Sequence, residues 1–156
     1  MKLIAQAMIQ IQKPIEEVFE GIVNPDKMTG YFISESSGRL ETGREITWKF
    51  PEFKDTYPLK DITVEPPHFI SYVWDPETVV TMTLEEQPDK STVIKVVENG
   101  KSLSEKNLQW LVGNTGGWAN FLASMKAYLE YDVSLRKGAF DFMKKDEIDS
   151  PDHTTP

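Results

Sequence analysis

The chain contains no cysteine. Disulfides, thiolate nucleophiles and cysteine-ligated metal sites are therefore excluded. Histidine is nearly absent: His68 follows Pro66-Pro67 at a turn, and His153 stands near the C-terminus. Neither has a second histidine at ligand spacing, and no carboxylate motif of metal-binding pattern is present, so no metal and no cofactor is expected. Basic residues are in the minority, with 17 Lys and Arg against 25 Asp and Glu and a formal net charge of −8. That balance disfavours nucleic-acid phosphates and anionic membrane surfaces as partners. Part of the charge sits in Asp146, Glu147, Asp149 and Asp152, so the body is less acidic than the total. No segment approaches about 18 consecutive apolar residues, and Met1–Gln6 carries no cleavage signature. The expectation is a cytoplasmic protein without membrane insertion.

What the chain does have is periodicity. Trp118, Phe121, Leu122, Met125 and Leu129 fall at i, i+3, i+4, i+7 and i+11, the apolar stripe of an amphipathic helix. Asn114 or Thr115 is placed to cap its start. Residues 103–112, with Leu103, Leu108, Trp110 and Leu111, read as a separate short helix before it. At the other end, Leu3, Ala5, Ala7, Ile9 and Ile11 alternate as one face of a strand. Pro14 suits the first position of a helix whose apolar face is Ile15, Val18, Phe19 and Ile22, and Glu16 and Glu17 complement its dipole. Asn24-Pro25-Asp26 signals a second short helix closing near Gly30.

Strands follow in series: weakly at 33–40, then at 45–50, 57–65, 69–74, 78–85 and 92–98, the last ended by Asn99-Gly100. Short turns between them, such as Asp75-Pro76-Glu77 and Pro88-Asp89-Lys90, make the sheet antiparallel. The predicted architecture is α+β: a curved antiparallel sheet of about six to seven strands wrapped around a long C-terminal helix, with two short helices after the first strand. Residues 1–143 form a single domain. The polar, aperiodic stretch 144–156 is expected to be a disordered tail.

In this order and spacing the pieces resemble the START-like, or SRPBCC, superfamily of helix-grip (Bet v-like) proteins. Within it, the chain is most similar to the domain of the Hsp-90 ATPase activator homologue 1-like proteins, as a bacterial single-domain member. The resemblance runs from about residue 3 to 143. It rests on Pro14-Ile15-Glu16-Glu17-Val18-Phe19, Asn24-Pro25-Asp26-Lys27, Tyr72-Val73-Trp74, Thr92-Val93-Ile94-Lys95-Val96 and Gly117-Trp118 leading to Tyr128-Leu129-Glu130. Leu135-Arg136-Lys137-Gly138-Ala139-Phe140 adds to it. It implies a helix-grip fold with a cavity between sheet and helix. The superfamily holds lipid and hormone binders, polyketide cyclases, oxygenase domains and chaperone cofactors, so fold alone does not assign an activity.

The site residues expected for such a cavity are aromatic and apolar. Trp48, Phe50, Tyr72, Trp74, Val80 and Met82 would form the sheet wall, and Trp118, Phe121, Leu122 and Met125 the helix wall. Core filling is the plainer reading of Trp118 and Phe121, which lie on the helix stripe, and of the methionines Met82 and Met125. No catalytic constellation is present: there is no Gly-x-Ser-x-Gly elbow and no Walker-type loop. Gly113-Asn114-Thr115-Gly116-Gly117 reads as a hinge before the helix rather than as an anion site. The expected function is binding of a small, largely apolar ligand of lipid, polyketide or flavonoid type by a monomer or weak dimer. The alternatives are a chaperone-cofactor or stress-response module with a protein partner, and a cyclase- or hydrolase-like enzyme.

Overall fold

The computed structural model describes residues 1–144. Of the tail expected at 144–156, residues 145–156 lie outside the described residues. Seven strands form one antiparallel sheet: β1 (Lys2–Ile11), β2 (Glu35–Ser36), β3 (Ile46–Lys49), β4 (Thr56–Glu65), β5 (Phe69–Val73), β6 (Val79–Glu86) and β7 (Thr92–Ser102). Their order across the sheet is β1-β7-β6-β5-β4-β3-β2. Strands β2 to β7 follow chain order as a meander, and β1 closes the far side by pairing with β7, so that Ala5 faces Glu98 and Ile9 faces Ile94. The predicted strand phase holds: Leu3, Ala5 and Ile11 are buried, while Ile4 and Met8 on the other face are exposed.

Between β1 and β2 lie α1 (Ile15–Val23) and α2 (Pro25–Met28). Pro14 is the cap residue of α1 rather than its first turn. Its carbonyl accepts from the Glu17 and Val18 N–H groups at 3.0 and 3.1 Å. The Asn24 side chain caps α2 by accepting from the Asp26 N–H at 2.9 Å, with Pro25 opening the helix. Both helices bury their apolar residues against the inner face of the sheet.

The largest correction to the sequence reading concerns α3. It is one helix, Glu105–Tyr131, of 27 residues. The predicted short helix at 103–112 and the long one after it are continuous, and Gly113–Gly117 is helix interior, not a hinge. The cap is Ser104, whose hydroxyl accepts from the Asn107 N–H at 3.1 Å, and neither Asn114 nor Thr115 serves. The physical reason is phase. The buried stripe of Trp118, Phe121, Leu122 and Met125 extends back through Asn114, Leu111 and Trp110 at helical spacing, so packing against the sheet carries the helix through residues of poor propensity. The C-terminal half of α3 is pinned to the end of β1. Glu130 Oε2 accepts from the Gln12 N–H at 2.9 Å and from Lys126 Nζ at 2.5 Å.

Two further differences follow from backbone geometry. Strand β7 runs through Asn99-Gly100 instead of stopping there. Gly100 has φ +147°, and a Cβ at this position would lie 2.0 Å from the Glu77 carbonyl oxygen. Only glycine allows that approach. Its place coincides with a register shift between Lys2 and Ile4 in the β1–β7 ladder, where one strand bulges. The weak strand at 33–40 shrinks to Glu35–Ser36, because Ile33 and Leu40 on either side turn into the core.

Candidate functional site

The inner face of the sheet and the underside of α3 do not meet everywhere. Towards the N-terminal half of α3 they part, leaving a cleft of about 560 Å³. The sheet side contributes Tyr57 of β4, Trp74 and Asp75 just after β5, and Glu98 of β7. Helix α3 contributes Trp110, Gly113, Asn114, Gly117, Trp118 and Asn120. Phe32 follows α2, and Phe50, Glu52 and Phe53 follow β3. Arg136, Phe140 and Met143 come from the segment after α3, which folds back across the mouth. Volume and aromatic lining are those of a small-molecule site. Gly113 and Gly117 keep the helix wall bare. A Cβ at either would meet nothing within 4 Å, so packing does not require glycine there. Each lowers helix stability by about 1 kcal/mol relative to alanine.

The floor of the cleft is a buried carboxylate. Glu98 has no exposed surface. Its Oε2 accepts from the Trp74 indole N–H at 2.9 Å and the Thr78 hydroxyl at 2.7 Å. Its Oε1 accepts from the Asn114 amide at 2.8 Å and the Trp118 indole N–H at 3.0 Å. A carboxylate offers about four lone-pair sites, and all are used. An indole N–H can only donate, and one faces each oxygen, so both oxygens act as acceptors. The same contacts hold the two indoles together, stacked at 5.3 Å and 27°. Glu98 thus ties β7, the β5–β6 turn and α3 into one polar joint inside an aromatic wall.

A second polar pair closes the mouth. Arg136 is ion-paired with Glu52, and both side chains are largely buried. The guanidinium stands over three rings: Phe32 at 5.0 Å, Phe50 at 5.7 Å and Phe140 at 4.9 Å. These are cation–π distances. Arg136 also borders a smaller space of about 290 Å³ on its other side, so it partitions the region.

Of the residues expected to line a cavity, Phe50, Trp74 and Trp118 do so. Trp48, Tyr72, Val80, Met82, Phe121, Leu122 and Met125 lie in the packed core, at most 1% exposed and off the cleft wall. Strand and helix phase correctly point them inward. The inward space at their level is filled by residues such as Tyr31 and Phe32, whose rings stand 5.9 and 4.5 Å from Phe121. Sequence reasoning missed Glu98, although the signal was present, since it continues the inward phase of Ile94 and Val96 along β7. It also missed Glu52, Asn114 and Arg136, which only folding brings to the cleft. His68 lies in the β4–β5 turn off the cleft, with Nδ1 3.4 Å from the Leu84 carbonyl. Among the described residues no group of three or more His, Asp or Glu side chains could hold a metal.

Tyr72 sits behind the joint. Its hydroxyl is buried without a hydrogen-bond partner among the described residues. Burial pushes the phenol pKa up, and the Glu98 charge adds to that. Tyr72→Phe is expected to raise the unfolding free energy by about 1 kcal/mol, because an unpaired buried hydroxyl is removed. Thermal unfolding should show a gain of about 2–4 °C. A fall would mean that the hydroxyl has a partner in solution.

A model of the family described as Activator of Hsp90 ATPase homolog 1-like protein matches residues 12–130. The chain belongs to this family. Among solved structures, the family member is similar to protein SSP2350 from Staphylococcus saprophyticus, with 31% identity, a TM-score of 0.76, and coverage of 86% of this chain and 96% of that one. It shares its fold with the Aha1 dimer protein from Colwellia psychrerythraea, at 19% identity and TM-score 0.70 over 83% of this chain and 97% of that one. It shares it also with DynU16, a putative protein in the dynemicin biosynthetic locus, at 21% identity and TM-score 0.73 over 83% of this chain and 48% of that one. None of the curated proteins matches. No helix among the described residues is long and apolar enough to cross a membrane.

Proposed function

We propose that this family member binds a small, largely apolar, ring-containing molecule in the cleft between sheet and α3. The observation that carries the reading is the aromatic cleft of about 560 Å³ organised around Glu98. Aromatic walls supply most of the contact area, and the few polar groups supply orientation. The bare glycine wall of α3 leaves room for a flat body against the helix. That a protein of the same fold belongs to the dynemicin biosynthetic locus is in keeping with such a ligand.

The test is titration of isotopically labelled protein with pooled apolar metabolites and lipids, read by NMR. Saturable shifts are expected at the Trp74, Trp110 and Trp118 indole signals, with the Trp48 signal unmoved because that ring is in the core. Trp74→Ala removes a ring from the wall and should weaken binding about tenfold or more while the chain stays folded. Absence of shifts from every pool would remove the proposal.

A further inference from the structure

We infer that the cleft selects a ligand carrying an organic cation, such as a tertiary or quaternary ammonium attached to an apolar ring body, and excludes carboxylates. The inference rests on the ligand-binding reading above and names the ligand's charge. A motif recurs around the cleft: a carboxylate, an aromatic ring and a cation held by both. In the first instance, Lys101 pairs with Asp75 at 3.0 Å and stands 5.6 Å from the Trp110 ring centroid. In the second, Arg136 pairs with Glu52 and stands over Phe32, Phe50 and Phe140. The third group has the carboxylate, Glu98, and the rings, Trp74 and Trp118, which stack on each other and turn their N–H edges to the carboxylate, but it has no cation. Glu98 is in none of the ion pairs among the described residues.

The lining charges make the same point. Glu52 and Asp75 are each balanced by a cation, whereas Glu98 is not, so the cleft carries an uncompensated negative charge at its floor. The chain as a whole adds to it, with a formal net charge of −8. Indole faces are the strongest cation–π partners among side chains. The four donors already on Glu98 fill its lone pairs, so the carboxylate acts on a ligand as a fixed charge rather than as a new hydrogen-bond acceptor. A bulky ammonium, which attracts through charge and needs few hydrogen bonds, suits that arrangement better than a primary amine. An anionic ligand would meet like charge in a site partly shielded from water, where repulsion is screened less than at the surface.

A matched series separates charge from shape: (1-naphthylmethyl)trimethylammonium, 1-naphthalenemethanol and 1-naphthoate, each titrated into the full chain and followed at the Trp74 and Trp118 indole N–H signals. The ammonium is expected to bind about tenfold more tightly than the alcohol. The naphthoate should give no saturable shift. Raising salt should weaken the ammonium and leave the alcohol unchanged. Glu98→Gln should abolish the preference in protein shown to be folded by its NMR spectrum. Should that variant unfold, the wild-type series and its salt dependence still decide. Naphthoate or alcohol binding as tightly as the ammonium would overturn the charge selection while leaving the cleft as a binding site. No binding by any member would overturn the charge selection, and the pooled titration then decides the cleft separately.

Discussion

Glu98→Leu is expected to lower the unfolding free energy by about 3 kcal/mol, which for a chain of this size moves the thermal midpoint down by about 6–12 °C. The size follows from the donors left behind. Two indole N–H groups, the Thr78 hydroxyl and the Asn114 amide all lose their acceptor at once. Each buried donor left unpaired carries a desolvation penalty, and the gain from burying leucine offsets only part of the sum. Glu98→Gln should lose less, about 1–2 kcal/mol, because one oxygen remains and only one side of the joint faces a donor against a donor. Chemical denaturation at constant slope measures both. Equal losses for the two variants would mean that the charge, and not the hydrogen bonds, holds the joint. No loss for leucine would mean that Glu98 contributes nothing to the fold and is kept for the ligand alone.

Phe121→Ala is expected to cost about 4 kcal/mol, the range for removing a fully buried ring. Phe121 has no exposed surface. Its ring meets Phe32 at 4.5 Å, Trp118 at 5.5 Å and Tyr31 at 5.9 Å. It is the point where α3 grips the loop after α2. The cavity left cannot close easily, because Tyr31 is held by its hydroxyl donating to the Gly21 carbonyl at 2.8 Å. Val112→Ala on the same helix is the control. Val112 is 75% exposed, and the change should stay within about 0.5 kcal/mol. The pair also tests how far the site reaches. Loss of ligand binding in Phe121→Ala at preserved stability would extend the cleft into what is packed as core.

The two variants probe two kinds of inward residue, and they show where sequence reading succeeds. Period-two alternation in β1 and β7 and the helical spacing from Trp118 to Met125 state which side chains turn inward, and the fold follows from that and from the turn chemistry at Asn24-Pro25 and Pro88-Asp89. The phase alone cannot say whether an inward residue meets other side chains or empty space. Trp48 and Trp74 are both aromatic, both near strand ends and both inward, yet the first is packed in the core and the second walls the cleft. Their difference is set by what α3 and the loops after α2 and β3 place opposite them.

Sequence alone therefore determined the family, the sheet with its helix, and the exclusion of thiol chemistry, because these depend on local period, punctuation and residue type. Tertiary structure decided the rest. It made α3 a single helix through three glycines, because packing against the sheet outweighs local propensity. It turned Glu98 from a charged residue in a strand into the floor of a cleft, with two donors from the β5–β6 turn and two from α3. It brought Arg136 back over Glu52 and the phenylalanines, a contact across 84 residues of chain. Contacts of that span depend on where whole elements dock, and no window of sequence contains them.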